Sequence, residues 1–160
     1  MEEKDLGQHA RQWRWMTLAG KRLELVVCDD LTIGAREIIL SGESAAFELS
    51  LPLLKAHLAL EPYTVALERA RAEPNSPEAL LRACVASPRP PSAELEGLVV
   101  GALNSSDSEL RYRAVSAAVT LQTASMRDAL EARTPHETDS RVLEHIRRGV
   151  ASFDKVEVPS

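Results

Sequence analysis

The sequence contains few side chains that could bind a metal or act as nucleophiles, and these are scattered along the chain. They are His9, His57, His136, His145, Cys28 and Cys84. Zinc sites are usually built from ligands a few residues apart, as in HExxH or paired CxxC motifs, and neither spacing occurs here. We therefore predict no metal site, and we expect both cysteines to be buried apolar residues in a reducing compartment.

Motifs for covalent or phosphate chemistry are also missing from the sequence. It has no GxSxG nucleophile elbow and no glycine-rich loop that could cradle a phosphate, and only seven glycines in all. A Ser/His/Asp arrangement need not be local in sequence, but no residue pattern points to one. The sequence thus predicts a protein that is not an enzyme and that has neither catalytic residues nor a cofactor.

The charge of the chain disfavours nucleic acid as a partner. The formal net charge is −5, whereas a dedicated nucleic-acid binder usually has a basic excess or stripe. Between positions 107 and 153, seven arginines are matched by seven acidic residues. Residues 1–5 are too acidic for a secretory signal, and no apolar run reaches the roughly 18 residues of a membrane span. We expect a cytoplasmic protein that does not bind membranes.

The elements that must position any functional side chain are helices, and one helical pattern occurs twice. The segment that begins at Asp107 aligns with the segment that begins at Asp139, at an offset of 32 residues (139 − 107). Apolar or small residues then coincide at helical spacing, namely Leu110, Ala114, Ala117, Ala118 and Leu121 with Val142, Ile146, Gly149, Val150 and Phe153. In each copy an Asp and a Ser can cap the helix. A repeat of this period predicts stacked helix pairs.

Further helices are predicted between these copies and before them. Ser76-Pro77-Glu78 has the preferred order of cap, proline and acid at a helix start, and Ser92 or Ala93 opens another helix. Gly97 and Gly101 are spaced as GxxxG, which predicts the close approach of a neighbouring helix. Grouped in pairs, the helices form three units over 62–86, 93–121 and 125–153.

Residues 1–60 fit two alternatives. We favour helices over 4–18, 22–28, 31–41 and 44–60, which would make this segment an N-terminal cap or a set of degenerate helical repeats. The alternation in Trp13-Arg14-Trp15 and in Leu23 to Val27 also fits a β-hairpin near residues 12–28. A helix face can bury only one of the two tryptophans, so self-association through the other is a further alternative.

The second unit resembles a HEAT repeat, in which an Asp in the turn is followed by a helix with a Val-Arg pair and small residues. The matching residues are Asp107, Leu110, Arg111, Ala114, Ala117 and Ala118. The third unit keeps Asp139, Val142 and Gly149 but has Leu143 in place of the arginine, and the first has Asn75 in place of the Asp. The resemblance covers 62–153. It implies an all-α fold, a short α-solenoid of antiparallel helix pairs, in a single domain over 1–160 with a flexible tail at 154–160.

The resemblance also implies where a partner binds, because the second helices of HEAT-like units line the concave surface. The residues implied for this surface are Arg111, Tyr112, Arg113, Arg141, His145 and Arg148. We therefore predict a non-catalytic scaffold or adaptor that binds another protein, with an inhibitor or immunity protein as one form. The alternative is a HEAT-like protein that binds nucleic acid or repairs DNA.

HEAT-like enzymes are a weaker match. Deoxyhypusine hydroxylases hold iron with several His-Glu dyads, but this chain has only His136-Glu137, in a predicted turn. HEAT-like DNA glycosylases are longer than this acidic chain, and no residue suggests the pigment pocket of HEAT-like bilin lyases.

Overall fold

The chain forms two compact units, 1–60 and 61–160, where the sequence predicted a single domain. The computed structural model describes residues 2–5, 10–16, 23–30, 35–42 and 61–154, together with the single positions 48, 52 and 56. The boundary between the units coincides with the predicted boundary between the N-terminal segment and the repeats.

The first unit contains a four-stranded antiparallel sheet. Its strands are β1 (Glu2–Asp5), β2 (Ala10–Met16), β3 (Leu23–Asp30) and β4 (Ala35–Gly42). Each strand pairs with the next along the chain, so the order is β1-β2-β3-β4. Trp13 is opposite Val27 and Trp15 is opposite Leu25, which confirms the hairpin near residues 12–28.

The helices predicted over 4–18, 22–28 and 31–41 are wrong, because the described residues of these segments form strands and not helical repeats. The strands β3 and β4 carry β-branched residues in register, with Val26 opposite Ile39 and Val27 opposite Ile38. Such residues favour a pleated surface, and here this preference outweighs a helical spacing that was weak. The self-association argument required both tryptophans on one helix, so it fails because both lie in β2.

Two predictions lie almost wholly outside the described residues. The helices over 44–60 can be compared only at positions 48, 52 and 56, which are helical. In the predicted tail at 154–160, only Asp154 is described.

The second compact unit, 61–160, is helical in its described residues, and here the all-α prediction is confirmed. Its helices are α1 (Tyr63–Ala72), α2 (Pro77–Ala86), α3 (Ala93–Leu103), α4 (Ser108–Leu121), α5 (Ala124–Arg133) and α6 (Ser140–Phe153). A short 3-10 helix, Thr134–His136, follows α5. Within the described residues, no helix has both the length and the apolar character needed to cross a bilayer.

Side-chain caps fix where these helices begin. Ser76 accepts a hydrogen bond from the backbone N–H of Ala79, and Pro77 occupies the first helical position. Asp107 caps α4 by accepting from Glu109 N at 2.9 Å, and Asp139 caps α6 by accepting from Arg141 N at 2.9 Å. Each cap satisfies a backbone donor that has no partner within the helix. The caps predicted at Ser76, Asp107 and Asp139 are therefore confirmed.

The six helices pack as pairs in two layers. Within pairs, α1 contacts α2, α3 contacts α4 and α5 contacts α6; between pairs, α2 contacts α4 and α4 contacts α6, while α1 contacts α3 and α3 contacts α5. The second helices thus form one layer and the first helices the other. The core between them contains large side chains that are almost fully buried, including Leu95, Leu103, Leu121, Met126, Leu130 and Ile146.

Small residues allow close packing between helices at one predicted place but not at another. A Cβ atom at Gly149 would lie 3.1 Å from Val119 Cγ2, so α6 approaches α4 closely here. A Cβ atom at Gly97 or Gly101 would meet nothing within 4 Å among the described residues. The two glycines instead line an open cleft of about 280 Å³, and the close helix approach predicted for them is not found.

Candidate binding site on helices α4 and α6

Five of the six residues predicted for a partner surface lie together on adjacent second helices. Tyr112 and Arg113 belong to α4, and Arg141, His145 and Arg148 belong to α6. The α6 residues follow one another at i, i+4 and i+7, which places them on one face of the helix. Because α4 packs beside α6, the two sets form one surface. With Glu109 and Ser116 of α4, we call it the α4–α6 face.

An aromatic pair lies at the centre of the α4–α6 face. The rings of Tyr112 and His145 are stacked, with centroids 4.3 Å apart and an interplanar angle of 19°. The Arg141 guanidinium carbon lies 4.5 Å from the Tyr112 centroid, and that of Arg113 lies 6.0 Å from it. At these distances a guanidinium is attracted by the ring quadrupole. The tyrosine is therefore held in place by three side chains from two helices.

The imidazole of His145 connects α6 to α4. Its Nε2 lies 2.9 Å from Ser116 Oγ. Burial lowers the pKa of His145, and the positive charges of Arg148, Arg113 and Arg141 lower it further. A hydrolase with a Ser–His pair also has a carboxylate that orients the imidazole. In residues 61–154 no carboxylate hydrogen-bonds to His145, so this contact joins α4 to α6 without the third member of a triad.

Two carboxylates partly neutralise the three arginines of the face. Glu109 accepts a hydrogen bond from Arg113 Nε at 3.0 Å and a second one from Arg141. These hydrogen bonds, that from Arg141 first, lower the pKa of Glu109 although its partial desolvation opposes this. Arg148 pairs with Glu144 on its own helix, at 2.9 Å. Three guanidinium groups therefore face two carboxylates.

Arg111, the sixth predicted residue, is not on this surface. Its side chain is 8% exposed, and Glu137 beside it is 0% exposed. Arg111 donates to both carboxylate oxygens of Glu137, at 2.8 and 2.9 Å. Its remaining Nη1 donates to the backbone carbonyls of Ser105 and Ser106 at 3.0 and 2.9 Å. With its donors used in the interior, Arg111 has a structural role, and its prediction as a partner-binding residue is wrong.

Two other reactive residues of the helical unit, His136 and Cys84, lie apart from the α4–α6 face. In the described part of the chain, no three His, Cys, Asp or Glu side chains come together as metal ligands would. His136 is exposed, while its neighbour Glu137 is occupied by Arg111. Cys84 is 1% exposed, as predicted, and burial raises the pKa of its thiol to about 12. The side chain of Cys28, like His9 and His57, lies outside the described residues.

Glu109 and Ser116 of the face were not predicted from the sequence, although the sequence contains a pattern that indicates Glu109. Glu109 and Arg141 are 32 residues apart, which equals the repeat offset, so they occupy equivalent positions in adjacent units. A search for opposite charges at that offset would have found the pair. Ser116 has no comparable signal, because its separation of 29 residues from His145 depends on how the helices pack.

No protein-family model, no curated protein and no solved structure matches this chain.

Proposed function

We propose that this protein is a non-catalytic adaptor that binds another protein through the α4–α6 face. The observation that carries the proposal is the cluster of Tyr112, His145 and Arg141, which two neighbouring helices assemble on one surface. Tyrosine and arginine contribute most often to the energetic centres of protein interfaces. Because Tyr112 is already held by its neighbours, it loses little conformational freedom when a partner covers it.

The resemblance to HEAT repeats supports the same surface. In such arrays the second helices bind partners, and α2, α4 and α6 lie in one layer here. We place the protein in the cytoplasm, as its composition suggests. An inhibitor or immunity protein is one form of this function, with its target bound at the same positively charged face.

The charge pairing on the face favours a protein over a nucleic acid. Binding to a phosphate backbone draws its strength from cations that are free to replace counterions. On this face Arg113 and Arg141 share Glu109 and Arg148 pairs with Glu144, so the net positive charge is small compared with the several phosphate contacts of a nucleic-acid binder. Nucleic-acid binding therefore remains the second candidate.

Affinity capture of the tagged chain from its native cells, with and without nuclease, tests the proposal. We expect a stoichiometric protein partner that survives nuclease. Tyr112→Ala should weaken its binding by about 30-fold, which corresponds to an interface centre of about 2 kcal/mol. Arg141→Glu should weaken binding as well. Its matched control is Arg71→Glu, because Arg71, like Arg141, pairs with a carboxylate, Glu94, but belongs to α1 in the other layer.

Two results would contradict the proposal in different ways. If Tyr112→Ala and Arg141→Glu both retained the partner at full strength, the choice of the α4–α6 face would be wrong. If only nuclease-sensitive material were recovered, the nucleic-acid alternative would replace protein binding.

A further inference from the structure

The α4–α6 face contains one more cation than its own carboxylates can neutralise. Arg113 and Arg141 both donate to Glu109, so a single carboxylate serves two guanidinium groups. The third arginine, Arg148, is 76% exposed and pairs with Glu144, which is 52% exposed. Exposed ion pairs of this kind contribute little and exchange easily with solvent. The face therefore has guanidinium donors that an incoming anion could use.

The shape of these donors suits a carboxylate. A guanidinium presents N–H groups in a planar fork that matches the two oxygens of a carboxylate. Arg141 is 57% exposed, and its guanidinium lies over the Tyr112 ring, which restricts its motion. A donor that is held in place loses less freedom when it binds. The aromatic surface beside it can cover the aliphatic part of an acidic side chain.

We infer that the α4–α6 face binds an acidic segment of a protein partner, with a partner carboxylate bound by Arg141 and its neighbours Arg113 and Arg148. This inference rests on the proposed function and specifies the chemistry of the partner. A carboxylate bound here would pair with guanidinium groups that otherwise share Glu109 or form only an exposed pair with Glu144. Although the whole chain is acidic, charges more than about 10 Å away are largely screened at physiological salt.

Binding of a carboxylate should be coupled to protonation of His145. The charged or titratable groups that act on this imidazole are Tyr112 and Arg113 from α4 and Arg141 and Arg148 from α6. The nearby carboxylates, Glu109 and Glu144, pair with these arginines. The three arginines disfavour the imidazolium form, and an anion that neutralises them should favour it. Because such coupling is reciprocal, the acidic segment should bind more tightly as the pH falls through the titration of His145.

Nuclear magnetic resonance of the histidine rings between pH 5 and 8, where histidine titrates, tests the inference. The probe is hexaglutamate at physiological ionic strength, with hexalysine as the control peptide, and the His145 signal is identified by its loss in His145→Gln. We expect hexaglutamate to raise the pKa of His145 by about 0.5, which corresponds to about threefold tighter binding to the protonated form. Hexalysine should leave it unchanged.

Variants show whether the arginines of the face are responsible. Arg141→Gln and, separately, the more exposed Arg148→Gln should each reduce the effect of hexaglutamate. Arg127→Gln is the matched control, because Arg127 forms a similar exposed pair with Glu131 on α5. A pKa of His145 that does not respond to hexaglutamate would overturn the inference, as would an equal response in Arg127→Gln and Arg141→Gln.

The result can be separated from that of the capture experiment. If Tyr112→Ala abolishes capture of a protein but hexaglutamate has no effect on His145, the protein binds partners here and the acidic chemistry is wrong. If a DNA duplex shifts the His145 signals and hexaglutamate does not, the inference is overturned in favour of nucleic acid.

Discussion

Replacing Glu137 with glutamine should remove a pH-dependent part of the unfolding free energy of the helical unit. The carboxylate of Glu137 is fully buried and binds Arg111 through both oxygens. It also accepts hydrogen bonds from the backbone N–H groups of Thr138 and Asp139, at 3.0 and 2.9 Å. All of these donors favour the charged form of the carboxyl group.

The magnitude follows from the pKa of Glu137. The hydrogen bonds from Arg111, the largest cause, lower it from 4.5 to about 2 although burial opposes them. At about 1.4 kcal/mol per pKa unit, the charged form stabilises the folded state by about 3 kcal/mol. Because the folded pKa is the lower one, this stabilisation is present above about pH 4.5 and is lost as the pH falls towards 2. At pH 3, about 2 kcal/mol of it should be lost.

The assay is urea unfolding, followed by the helical circular dichroism signal, at pH 7 and pH 3. The free energy of unfolding should differ between the parent and Glu137→Gln by about 2 kcal/mol more at pH 7 than at pH 3. Glu131→Gln is the matched control, since Glu131 forms a half-exposed pair with Arg127; there the difference should stay within about 0.5 kcal/mol at both pH values.

One outcome would refute this reasoning. If the parent and Glu137→Gln differed by the same free energy at both pH values, Glu137 would titrate alike in the folded and unfolded states. The ion pair with Arg111 would then give no net preference for the charged carboxylate.

Two further predictions concern packing. A Cβ at Gly149 would lie 3.1 Å from Val119 Cγ2, so Gly149→Leu should lower the unfolding free energy by about 1–3 kcal/mol. A Cβ at Gly97 meets no described atom within 4 Å, so Gly97→Ala should raise the unfolding free energy by about 0.5–1 kcal/mol. Urea unfolding measures both changes, and equal effects of the two substitutions would contradict the packing. In a Cys28→Ser background, the buried Cys84 thiol, whose pKa burial raises to about 12, should react with Ellman's reagent only after unfolding, and a rapid reaction in the native protein would show that it is accessible.

The helical unit could be predicted because its determinants are local in sequence. A cap such as Ser76, Asp107 or Asp139 acts on a backbone N–H only two or three residues away. The apolar positions of α4 and α6 recur at a helical spacing that can be counted in the sequence. Both signals are complete within about 15 residues, so tertiary structure had little opportunity to override them.

The sheet was missed where the determinants are not local. The run around Val26 and Val27 fits either a helix or a strand, and the choice is made by pairing with Ile38 and Ile39 about 12 residues away. Strand preference depends on such neighbours more than helix preference does. Only the hairpin of β2 and β3 had an alternation of apolar and polar residues clear enough to be recognised in the sequence.

The site was predicted as a surface but not in its details. The resemblance to HEAT repeats implied that the second helices of adjacent units line one surface, which put Arg141, His145 and Arg148 beside Tyr112 and Arg113. The same reasoning placed Arg111 on the surface, because its buried partner Glu137 is 26 residues away and lies in a turn with no periodic pattern. The burial of an ion pair that joins α4 to the turn before α6 cannot be derived from the spacing of apolar residues in one helix.

The Arg111–Glu137 pair also determines which loops can change length. Arg111 binds the carbonyls of Ser105 and Ser106 in the turn before α4, and Glu137 binds the backbone N–H groups of the turn before α6. An inserted residue in either turn would move these groups away from a side-chain pair that cannot follow. Surface loops usually tolerate insertions, but these two should not, so their lengths should be kept when tags, linkers or new repeats are introduced.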